Sequence, residues 1–192
     1  MKFLPKNTGS LTDFEGLTYP KDRTAAREAL SKIQRNFCAY SERYLKPLDS
    51  VDVEHFDPRL KNTDSDNIYN WHAVIHWLNM RKSNRIEDFE PLPDLQTWTF
   101  DRVSYLNGFF VCNEADMETK NLLDFLGVNR KEVYDERSKH VARLRRMIEK
   151  IGEEELIEFL AESPDDLSFP TALASELGLP VDDLISRRPA NS

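Results

Sequence analysis

Cysteine is scarce in this chain, which carries only Cys38 and Cys112. Two thiols exclude a disulfide framework and a four-thiolate zinc site, and they make a reducing cytoplasm the default setting. Long apolar runs are missing as well. No stretch approaches the roughly 20 residues that span a bilayer. The opening MKFLPKNTGSLTDF has no apolar h-region, so no signal peptide is expected. There is no excess of positive charge: 26 Lys and Arg stand against 34 Asp and Glu, a net charge of -8. A protein that coats DNA unaided needs Lys and Arg for the phosphates. The acidity therefore argues against tight solitary nucleic-acid binding. Internal repeats and low-complexity tracts are absent too.

What is present is globular composition. Hydrophobic residues make up 40% of the 192, aromatics 10% and charged residues 31%, enough for one core with an appendage. Pro5, Gly9, Gly16 and Pro20 mark residues 1–21 as an extended arm. Asp22 or Thr24 caps an expected helix running to about Arg35, with Ala25, Ala26, Leu30 and Ile33 on one face. Phe37-Cys38-Ala39-Tyr40 reads as a strand start. Val51-Asp52-Val53-Glu54-His55-Phe56 alternates with period two until Asp57-Pro58. The two are expected to pair as a small hairpin through the Lys46-Pro47 loop. Residues 59–68 are polar and read as loop. Trp71, Val74, Ile75 and Leu78 predict a helix from about Tyr69 to Met80.

After Pro91 and Pro93, Asn107-Gly108 sits between two apolar stretches and predicts a type I′ hairpin. Helices are expected near 116–126, ended by Gly127, near 131–150, near 153–161, and near 170–177, ended by Gly178. The division is an arm over 1–21, a helix and ββα core over 22–90, and a hairpin with helices over 91–192. The tail SRRPANS reads as frayed.

The chemistry concentrates in Glu54-His55, Asn70 and Asn79. Phosphodiester hydrolysis needs an activated water and stabilisation of charge on the phosphate and the leaving oxygen. A hard divalent cation takes oxygen ligands; Glu54 offers a carboxylate and Asn79 an amide oxygen. His55 has the side chain to take a proton from water near neutral pH. Strand alternation points Glu54 and His55 to opposite sides, so one shared site requires a bend at Asp57-Pro58. Asn70 suits the start of the expected helix, tying the loop that carries His55. Lys82, with Arg81 and Arg85, is a candidate for phosphate contact, and a solvated helix end is the plain alternative for this basic run. His72 and His76, at i and i+4, would share a helix face; they read as two ordinary helical histidines, with a metal pair as the alternative.

Three phrases in this order resemble a known family. Gln34-Arg35-Asn36-Phe37-Cys38-Ala39-Tyr40-Ser41-Glu42 is similar to Q-x-x-x-C-x-Y-C-E. Val53-Glu54-His55-Phe56-Asp57-Pro58 is similar to I-E-H-F-x-P. Tyr69-Asn70-Trp71 through Asn79-Met80-Arg81-Lys82 is similar to y-N-l through C-N-x-x-K. Together they resemble the HNH (ββα-metal) endonucleases of retrons and the Septu anti-phage system, the PtuB-like group, over roughly residues 28–85. Leu122 to Asn129 followed by Arg137 weakly resembles a later stretch of that family.

The resemblance implies Glu54 and Asn79 as ligands of one Mg²⁺ or Mn²⁺, His55 as general base and Asn70 as a positioning residue. It implies DNA as substrate and a PtuA-like ATPase as partner, through which the protein would also join an oligomer. Relatives hold a structural zinc on two Cys-x-x-Cys pairs. Here Ser41 stands opposite Cys38, and Ile75 and Leu78 fall where the second pair would be, so no structural zinc is expected. The expected fold class is α+β: a zinc-less ββα-metal core with an added β-hairpin and helical C-terminal part. The expected function is a metal-dependent DNA endonuclease of an anti-phage system. The alternative is a decayed HNH scaffold acting as a non-enzymatic interaction subunit.

Overall fold

The computed structural model describes residues 1–6, 14, 16–82 and 84–187. The chain is a mixed α+β fold with two small antiparallel sheets among the described residues. Helix α1 (Arg23–Ile33) buries Ala26, Ala29 and Leu30 against strands β1 (Val51–His55) and β2 (Trp71–Ile75). Ala25, expected on that face, is exposed. Of the segment read as an arm, Met1, Leu4 and Phe14 lie in the main core, so its described parts are packed rather than extended. The tail beyond residue 187 lies outside the described residues.

The hairpin pairing differs from the sequence expectation. β1 pairs with β2, not with residues 37–40, in the register Val51↔Ile75 through His55↔Trp71. β2 takes the edge of β1 that residues 37–40 were expected to fill, and the outer edge of β2 is closed by Gln34. Its side-chain amide donates to the carbonyls of Phe37 (2.8 Å) and Ala73 (2.9 Å) and accepts from the Ala73 N–H (2.9 Å). A glutamine amide, with the Ala39 N–H on the same Ala73 carbonyl (3.2 Å), thus fills the place on β2 that a third strand would pair with. Residues 37–44 close into a tight loop instead, with a single bridge between Phe37 and Tyr44. Within it the Cys38 N–H donates to Arg43 O, and the Glu42 N–H donates to Cys38 O.

The expected helix over 69–80 is also corrected. Trp71–Ile75 is strand, and only α2 (His76–Arg81) is helical. Trp71, His72, Ala73 and Val74 are all buried. A strand covered on both faces has no period-two alternation, so its apolar spacing imitates a helix. The resulting order, β1–β2–α2, lays a short helix over the hairpin.

The remaining elements fall close to expectation. β3 (Val103–Leu106) and β4 (Phe109–Cys112) pair around Asn107 and Gly108, both at positive φ (50° and 87°) as a type I′ turn demands. A Cβ on Gly108 would come within 2.5 Å of the Tyr134 ring. α3 (Met117–Leu126) starts on the Asp116 side chain, which accepts from the Thr119 N–H, and stops at Gly127 in the left-handed region. α4 (Lys131–Ile151), α5 (Glu153–Glu162) and α6 (Pro170–Leu177) follow. The short α7 (Val181–Ser186) is not among the expected elements, although Pro180 precedes it, Asp182 and Asp183 sit in its first turn, and Val181, Leu184 and Ile185 fall at i, i+3 and i+4. The C-terminal helices share a second apolar cluster, built on Val141, Leu144, Leu156, Leu160, Leu173 and Leu184.

Candidate active site on the first hairpin

Alternation along β1 sends Asp52 and Glu54 to the side covered by α2, and His55 to the other. Glu54 is buried. Its Oε1 lies 2.8 Å from Lys82 Nζ, and the Tyr40 hydroxyl donates to Oε2. Burial raises the Glu54 pKa, while Lys82 and Tyr40 pull against that rise. Burial first, and then the Glu54 charge, hold the Tyr40 hydroxyl well above its ordinary value.

Lys82, expected to meet phosphate, is buried. Its ammonium also donates to His55 O (3.2 Å) and Phe56 O (3.0 Å) and sits 4.4 Å from the centre of the Phe125 ring. An ammonium has three protons, and three oxygens take them. Lys82 therefore locks Glu54 to the end of β1 and is not offered to solvent.

His55 lies across the strand. Its Nε2 is 3.1 Å from Asp66 Oδ2, though not aligned for a hydrogen bond. The Tyr19 ring packs edge-on at 4.5 Å, and His55 is only 7% exposed. Burial lowers its pKa, and the Asp66 carboxylate partly restores it. Asn70 precedes β2 instead of starting a helix, yet it ties the His55 loop as expected. Its Oδ1 accepts from the Asp57 N–H (2.7 Å), and its Nδ2 donates to Asp57 O (3.1 Å) and Asp66 Oδ1 (3.2 Å). Trp71 Nε1 donates to the same Asp66 oxygen at 2.7 Å. Asp66 was missed in the sequence: nothing in RLKNTDSDNI separates it from Asp64.

Asn79 lies on α2, where its Nδ2 donates to Asp52 Oδ2 at 2.7 Å. Glu54 and Asn79 thus lie on one side of β1 but hang on different partners. Among the described residues no three His, Cys, Asp or Glu side chains converge as a metal set. For the implied Mg²⁺ or Mn²⁺ the fit fails as placed: both Glu54 oxygens are engaged, and an ammonium already stands against the carboxylate. Arg81 lies over the Trp77 ring at 5.5 Å. Arg85 pairs with Asp88 at 3.1 Å; both arginines remain surface cations beside α2.

His72 and His76 do not share a face. His76 is on α2, half exposed, whereas His72 faces Glu54 across the hairpin and is fully buried. Lys6 Nζ lies 3.3 Å from His72 Nδ1, and burial holds Lys6 down to about 7. Burial, then Lys6 and Lys82, hold His72 well below the usual imidazole range. A histidine whose folded pKa is depressed stabilises the fold above its unfolded value and loses that contribution as pH falls through the folded one. Stability is therefore expected to decline as pH drops below about 6.5, and His72→Gln should flatten that decline in urea titrations. An unchanged slope would contradict the assignment.

Ser41, Ile75 and Leu78 line one cleft of about 180 Å³ with Arg43, Glu132 and Glu136. Cys38 is a buried free thiol nearby in sequence. Packing and charge occupy that region instead of thiolates. No helix among the described residues is long and apolar enough to cross a membrane. No family model, curated protein or solved structure matches the chain.

Proposed function

We propose that β1–β2–α2 is a ββα unit of the HNH type and that the chain is an endonuclease hydrolysing DNA phosphodiester bonds. One observation carries the reading. An imidazole at the end of β1 is backed by the Asp66 carboxylate, and Asn70 pins the loop on which both depend. A base beside a carboxylate that is itself held in place, close enough to stabilise the protonated ring, is an arrangement suited to proton abstraction.

His55 is neutral at pH 7, because burial lowers its pKa. It takes a proton from water as the water oxygen bonds to phosphorus; the ester bond to the sugar oxygen breaks, and that oxygen takes a proton from solvent. Asp66 stabilises the imidazolium that forms. No step here is routed through a cation, since Glu54 and Asn79 do not meet. Tyr19 covers His55, so the reading requires the ring to move aside when DNA is seated. The net charge of -8 supports a partner that supplies DNA affinity, and an ATPase of the PtuA-like kind in a bacterial cytoplasm fits that role.

The Lys82–Glu54 lock favours a second reading, a non-enzymatic subunit on the same scaffold. Nicking of supercoiled plasmid in Mg²⁺ or Mn²⁺ separates the two. Under the first reading wild type cuts, and His55→Ala slows it by roughly 10²–10⁴-fold. A wild type inert even beside its ATPase supports the second.

A further inference from the structure

We propose that Asp52, His76 and Asn79 form a site for one first-row divalent transition cation, distinct from Glu54. Asp52 Oδ2 lies 2.8 Å from His76 Nδ1 and 2.7 Å from the Asn79 amide. The strand residue comes from β1, and the other two lie three apart on α2, so one face of the helix delivers both. With metal–ligand bonds of 2.0–2.2 Å, adjacent donors of an octahedral ion stand about 3 Å apart. Both edges that meet at Asp52 match that spacing.

A half-turn of the Asn79 amide exchanges its nitrogen for its oxygen in the same place. The set then offers one carboxylate oxygen, one amide oxygen and one imidazole nitrogen. Mixed N/O donors of this kind suit Mn²⁺ and its later neighbours, and the imidazole disfavours Mg²⁺. The Asp52 carboxylate is 12% exposed and the His76 ring 51%, so the carboxylate is fixed and the approach is open to water that completes the coordination. Arg23 reaches the other carboxylate oxygen at 3.4 Å from a side chain that is 58% exposed; unlike the buried Lys82 against Glu54, it is free to turn to solvent, and His76 and Asn79 would exchange their hydrogen bonds to Oδ2 for the ion.

The site keeps Asn79 as a ligand and replaces Glu54 by Asp52 and His76. It rests on this geometry and holds whether or not DNA is cut. Calorimetric titration of the full chain with Mn²⁺ and with Mg²⁺ tests it. The expected result is one Mn²⁺ per chain, with Mg²⁺ weaker. His76→Ala and Asp52→Asn should each weaken Mn²⁺ at least about tenfold. Asn79→Asp, which keeps an oxygen and adds charge, should tighten it, and Glu54→Gln should leave it unchanged. Thermal melts of each variant exclude loss of fold, and paramagnetic broadening that strikes the His76 ring before the other imidazoles locates the ion. No Mn²⁺ binding by wild type, or binding that survives His76→Ala but not Glu54→Gln, overturns the proposal. The second of those results would leave the nuclease reading standing; Mn²⁺ bound as expected by a chain that never cuts would do the reverse.

Discussion

Lys82→Met is expected to destabilise the fold by about 3–5 kcal/mol, because it strands a buried carboxylate. In the native chain Glu54 Oε1 faces the ammonium at 2.8 Å, and both groups are nearly excluded from water. Methionine fills most of the volume but leaves three oxygens without a donor: Glu54 Oε1, His55 O and Phe56 O. The loss should depend on pH, with a definite sign. The folded pKa of Glu54 is already raised by burial, so its contribution is complete below the unfolded carboxyl value and is lost as pH rises through the folded one. Removing Lys82 removes the largest force against that rise and moves the window further up. Urea unfolding should therefore find Lys82→Met closer to wild type in mild acid than at neutral pH. Adding Glu54→Gln should recover part of the loss. A single variant within about 1 kcal/mol of wild type at neutral pH would mean the pair is not buried as described.

Arg137→Ala is expected to cost about 3–5 kcal/mol, the sum of a large cavity and orphaned acceptors. Arg137 is fully buried on α4. Its guanidinium donates to Gly108 O (2.7 Å) and Val128 O (3.3 Å), and lies 4.9 Å from the Phe110 ring centre and 5.5 Å from that of Tyr105. One side chain thus joins the β3–β4 turn, the end of α3 and the long α4. Arg137→Lys keeps the charge, but a single ammonium lacks the planar fork that reaches two carbonyls from one head. It should fall between wild type and alanine in urea midpoint. A lysine variant as damaging as alanine would show that the fork matters more than the charge; an alanine variant of wild-type stability would contradict the role altogether.

The C-terminal half was legible because its signals are local. Asn107-Gly108 marks a hairpin turn and Gly127 and Gly178 mark helix ends, and all four residues take positive φ in the structure. The first hairpin was less legible because its signals are tertiary. Nothing local reveals that the Gln34 amide would take the strand-pairing groups of Ala73, or that burial on both faces would erase the alternation of Trp71–Ile75. The site divides the same way. Asn70 tying the His55 loop followed from motif order, although its element was misread. Lys82 turns inward, and Asp66 comes to rest beside His55, through contacts between residues well separated in the chain. Spacing along a sequence carries no trace of such contacts. Nor does the sequence reveal the charged cleft that Ser41, Ile75 and Leu78 line with Arg43, Glu132 and Glu136.

The pH profile of plasmid nicking under single turnover, run for wild type and His55→Ala with the ATPase partner present, tests the account most directly. His55 as the base predicts a rate that climbs through a midpoint below 6.5, the ordinary imidazole value, then stays level toward alkaline pH. The same limb should be missing in His55→Ala. A wild type that does not cut at any pH, or an alanine variant that keeps both rate and profile, would contradict it.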